Sequence, residues 1–218
     1  VFSVAVILQN LPLLWQGLLV TLLYTVVTIC AGMAIGLLVG IAQLSRQRAI
    51  RLCGRLYVEF FRNIPLLVLL LWIYYALPIF LHLNMTKEAA GLIGLSCYVG
   101  AFYSEIVRGG VLGVDPGQLD AGRALGMSHR QVMRRIVLPQ AFRRMVPPLV
   151  GQSIIQMKNT TLLSAITVPD LLYQGSYISS FTYKPMEIYT AVGGIFLVIL
   201  VPLTMLARRM EHGRDLMH

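Results

Sequence analysis

The sequence predicts an all-α integral membrane protein with five transmembrane helices, its amino terminus outside and its carboxyl terminus cytoplasmic. Three observations carry that expectation. The 218 residues are 57% hydrophobic and only 12% charged, against roughly a quarter charged in ordinary soluble domains. Five stretches are long and apolar enough to cross the hydrocarbon, which takes about 20 residues because no water there satisfies an exposed backbone group. Lys and Arg crowd into alternate connections, as the inward bias of positive charge requires.

The spans are read at 14–44, 56–81, 88–112, 145–166 and 187–207, the third and fourth more polar than the rest. Arg46, Arg48, Arg51 and Arg55 follow the first; Arg123, Arg130, Arg134, Arg135, Arg143 and Arg144 follow the third; Arg208, Arg209 and Arg214 follow the fifth. Those thirteen fall on one side, and only Lys87 and Lys184 on the other. The remaining three cations, Arg62, Arg108 and Lys158, fall within or near spans, where ionisable groups are costly and face a partner or a cavity.

One membrane domain, residues 1–218, is the simplest organisation, since no linker or repeat divides the chain, and no removable signal peptide is expected at its start. The net charge of +9 does not imply nucleic acid, because the basic residues lie in short clusters between apolar runs. Cys30, Cys53 and Cys97 lack metal or disulfide spacing, and His82, His129, His212 and His218 are scattered, so no metal site is expected. No GxxxxGK[ST] sequence occurs, so the chain does not bind ATP through a P-loop, and no catalytic constellation marks it as an enzyme.

The connection at about 114–144 is the most distinctive. Leu125, Met127, Val132, Met133, Ile136 and Val137 alternate with arginines at helical spacing, and Ser128 is placed to cap a helix that Pro139 stops. By composition this is an amphipathic helix lying on anionic lipid. The order Asp120, Ala121, Gly122, three residues, Gly126, nine residues, Ile136, one residue, Leu138, Pro139 says more. It resembles the "EAA" signature of the membrane subunits of binding-protein-dependent ABC importers, with every spacing kept, Asp120 standing for the Glu and Gly122 for the second Ala. "EFFRNIPLLVLLLWIYY", "YSEIVRGGVLGVDPGQLDAGRALGM" and "MKNTTLLSAITVPDLL" extend the resemblance over most of the chain, toward the polar amino acid permeases.

The resemblance implies that Asp120, Ala121, Gly122, Leu125, Gly126, Ile136, Leu138 and Pro139 form a coupling helix that docks on a separate ATPase, two copies of which bind ATP and Mg. It further implies a second permease subunit, identical or paralogous, and an extracytoplasmic amino-acid-binding protein. No cofactor is expected in this chain itself.

The fourth span places Gln152, Ser153, Gln156, Asn159, Thr160 and Ser164 on one side at about 100° per residue. Such a stripe either lines a water path or glues helices together inside a bundle. Asn159 lies about 20 Å from the inner end of its span, the depth at which transporters place substrate. By the resemblance, Asn159 and Thr160 are the leading amino acid contacts, followed by Gln156, Ser153 and Gln152. Asn159 is neutral where some members of that family carry Asp, so the resemblance does not imply recognition of a cationic side chain there. Lys158 either meets a substrate carboxylate or pairs with Glu105, the remaining candidate substrate contact. Glu105 with Arg108, and Glu59 with Arg62, have the spacing of helical ion pairs, and with Pro65 they are candidates for an inner gate. The rival reading is a secondary transporter or channel that works without an ATPase; it predicts an inverted repeat, which is not evident.

Overall fold

A computed structural model describes residues 2–82 and 84–215, with 210–215 by backbone alone. His218, and the side chains of His212 and Arg214, which entered the sequence reading, lie outside the described residues. Every regular element described is helical. A short α1 (Val4–Gln9) leads into α2 (Leu11–Gln43), whose Pro12 sits at the start where its missing N–H costs nothing. The long α6 (Lys87–Leu112) opens on Thr86, whose side chain accepts from Ala89 N–H, with Glu88 in the first turn. The chain closes with α11 (Pro185–Asp215).

Of the described helices, α2, α6 and the 185–209 portion of α11 are long and apolar enough to cross a membrane. A fourth crossing is available if one bent pair is a single span. That pair corrects the second predicted span. Residues 56–81 are not one helix: α3 (Arg48–Asn63) ends before Pro65, and the following rod turns away by 104°. The rod consists of α4 (Leu66–Leu71), a π-turn (Trp72–Ala76) and α5 (Leu77–Leu81). Pro65 supplies the break, as a residue that cannot donate to the preceding turn must.

The tightest packing joins α2 to α6. Gly32, Gly36 and Gly40 recur every four residues on α2, and a β-carbon built on Gly36 would lie 2.5 Å from Tyr103 Cβ and 3.0 Å from the Ser104 backbone nitrogen. In lipid, where burial of apolar surface gives little drive, such backbone approach is a main source of helix association. Gly36→Ala is therefore expected to cost about 1–3 kcal/mol through overpacking. Gly193→Ala, where an added β-carbon meets nothing within 4 Å, should be neutral. Apparent unfolding temperatures of the two variants in detergent check this, and equal values would refute it.

One core cluster closes around Tyr24, Leu66, Leu70, Leu95, Leu163 and Ile166. A second cluster joins Leu14 and Leu18 of α2 to Ile188 and Val192 of α11 through Leu171 and Ile178 of α10 (Leu171–Thr182). Most of α11 remains exposed on this chain alone, with only 11% of its apolar stretch buried.

Candidate functional site

Three groups of residues merit attention, beginning with the loop after α6. Asp115 accepts from Gly117 N–H at 2.8 Å and caps α7 (Pro116–Ala124), with Pro116 at its first position. The far end of α7 is closed by two backbone bonds, Gly126 N–H to Arg123 O at 2.9 Å and Met127 N–H to Gly122 O at 3.0 Å. This pair defines a Schellman turn, which places its closing residue in the left-handed region. Gly126 occupies that position with φ +75°.

The two halves of the signature meet in space. Gly122 is buried, and a β-carbon there would lie 3.0 Å from both Ile136 Cδ1 and Val132 Cγ2. Ile136 packs on a small core formed by Val114, Val132, Val137 and Ala141. Asp120, Ala121, Gly126, Leu138 and Pro139 remain exposed, and Leu125 is 81% exposed. Asp120 makes an exposed ion pair with Arg123 at 3.3 Å.

Ser128 caps α8 (His129–Val132) in a reciprocal capping box with Gln131, as its sequence position predicts. Pro139 does not stop that helix. The chain passes from α8 through a π-turn (Met133–Val137) directly into α9 (Leu138–Asn159), with Leu138 N–H bonded to Met133 O. The widened turn carries the chain past the proline, which sits in the first turn of α9. A separate surface helix lying on lipid is thus replaced by a continuous helical extension of α9. Arg144 donates to Gly113 O and ties this extension to the end of α6.

The second group is the polar face of α9. Gln156 is fully buried and donates to Thr28 Oγ1 at 3.0 Å, while Ser153 and the Tyr103 hydroxyl lie 2.7 Å apart. Thr160 is fully buried and donates back to Met157 O. Gln156 and Ser153 join helices inside the bundle, whereas the Thr160 bond is local to its own helix. Gln152 and Asn159 are half-buried, with side chains that have no hydrogen-bond partner among the described residues. The predicted stripe does not continue regularly to Ser164, because α9 gives way to a 3₁₀ segment (Thr160–Ile166) and helical extrapolation at 100° fails there. Lys158 does not pair with Glu105; it is exposed beside Gly193 and Phe196 of α11.

The third group surrounds a polar cavity of about 330 Å³ at the ends of α2 and α6 and along α3, lined by Gln43, Arg55, Glu59, Arg62, Glu105 and Arg108. Arg108 binds Glu105 through both carboxylate oxygens, at 2.7 and 3.1 Å, as the i,i+3 spacing predicts. Arg62 approaches the same carboxylate at 3.9 Å and lies 5.2 Å from the centre of the Phe102 ring. The expected Glu59–Arg62 pair does not form; Glu59 instead accepts from Asn63, one helical turn further on. Pro65 stands at the start of α4 and is not in the cavity lining. Sequence reasoning missed Gln43 and Arg55. Gln43 was signalled only as the polar last residue of an apolar helix, and Arg55 only by its position seven residues before Arg62.

Asp170, also missed, caps α10 in the connection between the fourth and fifth predicted spans. It is fully buried; Oδ1 accepts from Tyr173 N–H at 2.8 Å, and Oδ2 has no hydrogen-bond partner among the described residues. Burial pushes its carboxyl up to about 7.

The all-helical fold with its long apolar helices fits an integral membrane protein of the permease kind. Residues 32–214 match the family of binding-protein-dependent transport system inner membrane components, and the chain belongs to that family. It is 36% identical over 211 residues to the glutamine transport system permease protein GlnP of Escherichia coli K12, covering 96% of both chains. With the probable glutamine ABC transporter permease GlnM of Bacillus subtilis it shares 32% identity over 213 residues, 96% of this chain and 98% of the relative. A crystal structure of an amino acid ABC transporter with histidines superposes with a TM-score of 0.89 at 33% identity, covering 94% of this chain and 96% of that one. The inward-facing MetNI methionine transporter shares the fold, with a TM-score of 0.74 at 22% identity.

Proposed function

We propose that this inner-membrane permease carries a polar amino acid through a pathway formed with a second permease subunit. A separate ATPase, present in two copies, drives it with ATP and Mg, and an extracytoplasmic binding protein delivers the substrate. The observation that carries the reading is the meeting of Gly122 with Ile136, which joins the two halves of the signature into one compact unit and leaves Leu125 projecting. A small rigid unit with an exposed apolar tip is what docking into a groove on a partner requires.

In this reading the chain crosses the membrane five times, with the amino terminus outside. The lone apolar helices, the bent pair and α9 supply the crossings, and the distribution of arginines sets the orientation. ATP-driven closure of the ATPase pair draws the coupling segments together and shifts the permease pair between outward- and inward-facing states. Asn159 and Gln152, whose side chains have no hydrogen-bond partner among the described residues, face the substrate. Lys158 supplies a cation near them, while Gln156, Ser153 and Thr160 position the helix. Glu59, Arg62 and Arg108, next to the bend at Pro65, form the inner gate around Glu105.

Proteoliposomes holding the permease pair and its ATPase test the reading. Uptake is expected only with ATP and binding protein, and Asn159→Ala should weaken half-saturation about tenfold, the loss of one buried polar contact. Uptake by the permease without the ATPase would establish the secondary-transporter alternative instead.

A further inference from the structure

We infer that the cavity between α2, α3 and α6 is a charge-selecting site whose preferred ligand is an acidic amino acid, an inference that rests on the amino acid importer reading. Its size, about 330 Å³, is at the lower end of small-molecule pockets, which suits one free amino acid. Its lining holds three guanidinium groups, Arg55, Arg62 and Arg108, against two carboxylates, Glu59 and Glu105. Both carboxylates are engaged: Glu105 by Arg108 on two oxygens, and Glu59 by the Asn63 amide at 2.8 Å. Asn63 is neutral, so Glu59 keeps its charge, and three guanidinium groups against two carboxylates leave the lining a surplus of one positive charge.

Arg55 has no acidic partner among the described residues, and Arg62 reaches Glu105 only at 3.9 Å. Each guanidinium carries five N–H donors in a planar fork that matches a carboxylate. The two are seven residues apart, about two helical turns, and so lie on the same face of α3. Next to that face Gly54 and Val58 are buried, and Val58 contributes to the cavity wall. The Tyr57 hydroxyl, bonded to Cys97 O at 2.6 Å, anchors α3 to α6. The 104° bend at Pro65 sets α3 across the rod that follows it, and the charged face of α3 closes on Gln43 and Glu105.

An acidic amino acid brings two carboxylates and one ammonium. The carboxylates meet the free donors of Arg55 and Arg62, and the ammonium meets the remaining lone pairs of Glu59. A cationic amino acid would add positive charge beside three guanidinium groups, where like charges are poorly screened by a partly buried site. Arg55 and Arg62 are thus specificity-determining residues, and Glu105 limits the selectivity by holding Arg108.

Equilibrium binding of radiolabelled L-glutamate, L-glutamine and L-arginine to the purified permease–ATPase complex, without binding protein, tests the assignment. Glutamate is expected to bind at least about tenfold more tightly than arginine. Arg55→Gln and Arg62→Gln together should erase that preference, whereas Glu105→Gln, which frees Arg108, should sharpen it. A merely structural role would lower stability in all variants without moving the preference in opposite directions. If the double variant does not fold, Arg55→Gln alone, which removes a side chain without an acidic partner, carries the same test with a smaller shift. Arginine binding as tight as glutamate, an unchanged ratio in the arginine variants, or no binding of any of the three overturns the proposal. Uptake that proceeds without the ATPase would overturn the importer reading while leaving the binding order intact.

Discussion

Gly126→Asp is expected to leave the permease folded and inserted while uncoupling ATP hydrolysis from uptake. The residue closes the Schellman turn of α7 at φ +75°, and a side chain added there meets nothing within 4 Å. The penalty is therefore conformational, about 1–2 kcal/mol for an L-residue in the left-handed region and at the low end for Asp. Such a local cost does not unfold a bundle anchored elsewhere by α2 and α6. The new carboxylate does, however, project beside Leu125, the apolar tip that the docking model presses into a partner. Desolvating an unpaired charge in that contact is unfavourable. Loss of a coupling free energy of about 1–3 kcal/mol corresponds to a roughly 5- to 150-fold loss of ATP-driven uptake. Gly126→Asn separates charge from backbone, since it tolerates the same conformation without the carboxylate. Normal uptake and substrate-stimulated hydrolysis in the Asp variant would remove α7 from the coupling role.

How much of this was legible in the sequence depended on the range of the interactions. The runs that become α2, α6 and the 185–209 portion of α11 each hold a long, mainly apolar stretch, so their existence follows from the demands of a hydrocarbon solvent. Ser128 and its partner Gln131 are three residues apart, and the capping box they form is local chemistry. Glu105 with Arg108 was legible for the same reason. Pro139 shows where a local rule is overridden: proline disfavours a continuing helix, but the π-turn before it opens the backbone and the rod continues. The sequence marks Pro65 as a bend, yet its size of 104° reflects α3 packing against α2 and α6. Gln156 was recognisable as polar at membrane depth. That it points to Thr28, 128 residues away, depends on the register between α9 and α2, which no local pattern encodes.

Asp170 leads to the second large effect, a pH dependence of stability that a single substitution should remove. Its carboxyl, fully buried, titrates at about 7 in the folded chain, against an ordinary 3.8. The folded state thus favours the neutral form. Below about pH 4 both folded and unfolded chains hold the proton, and the residue contributes no penalty. Between about pH 4 and 7 the unfolded chain releases the proton while the folded chain keeps it, so stability falls by about 1.4 kcal/mol per pH unit. Above about pH 7 both forms are ionised and the loss levels off, on the order of 4 kcal/mol in all. Asp170→Asn keeps the oxygen that accepts from Tyr173 N–H and so preserves the cap of α10. It also keeps the neighbouring bond from Leu171 N–H to Thr21 Oγ1, at 3.1 Å, that ties α10 to α2. Its cost is one unpaired buried amide in place of the unpaired Oδ2, about 1 kcal/mol. The variant should therefore be less stable than or equal to the parent near pH 4.5 and more stable above pH 7. The two curves of apparent unfolding temperature in detergent should cross between those values, because the substitution removes a pH-dependent penalty and adds a pH-independent one. Parallel curves would mean that Asp170 is not the titrating group, and that its carboxylate is stabilised by something other than the contacts around α10.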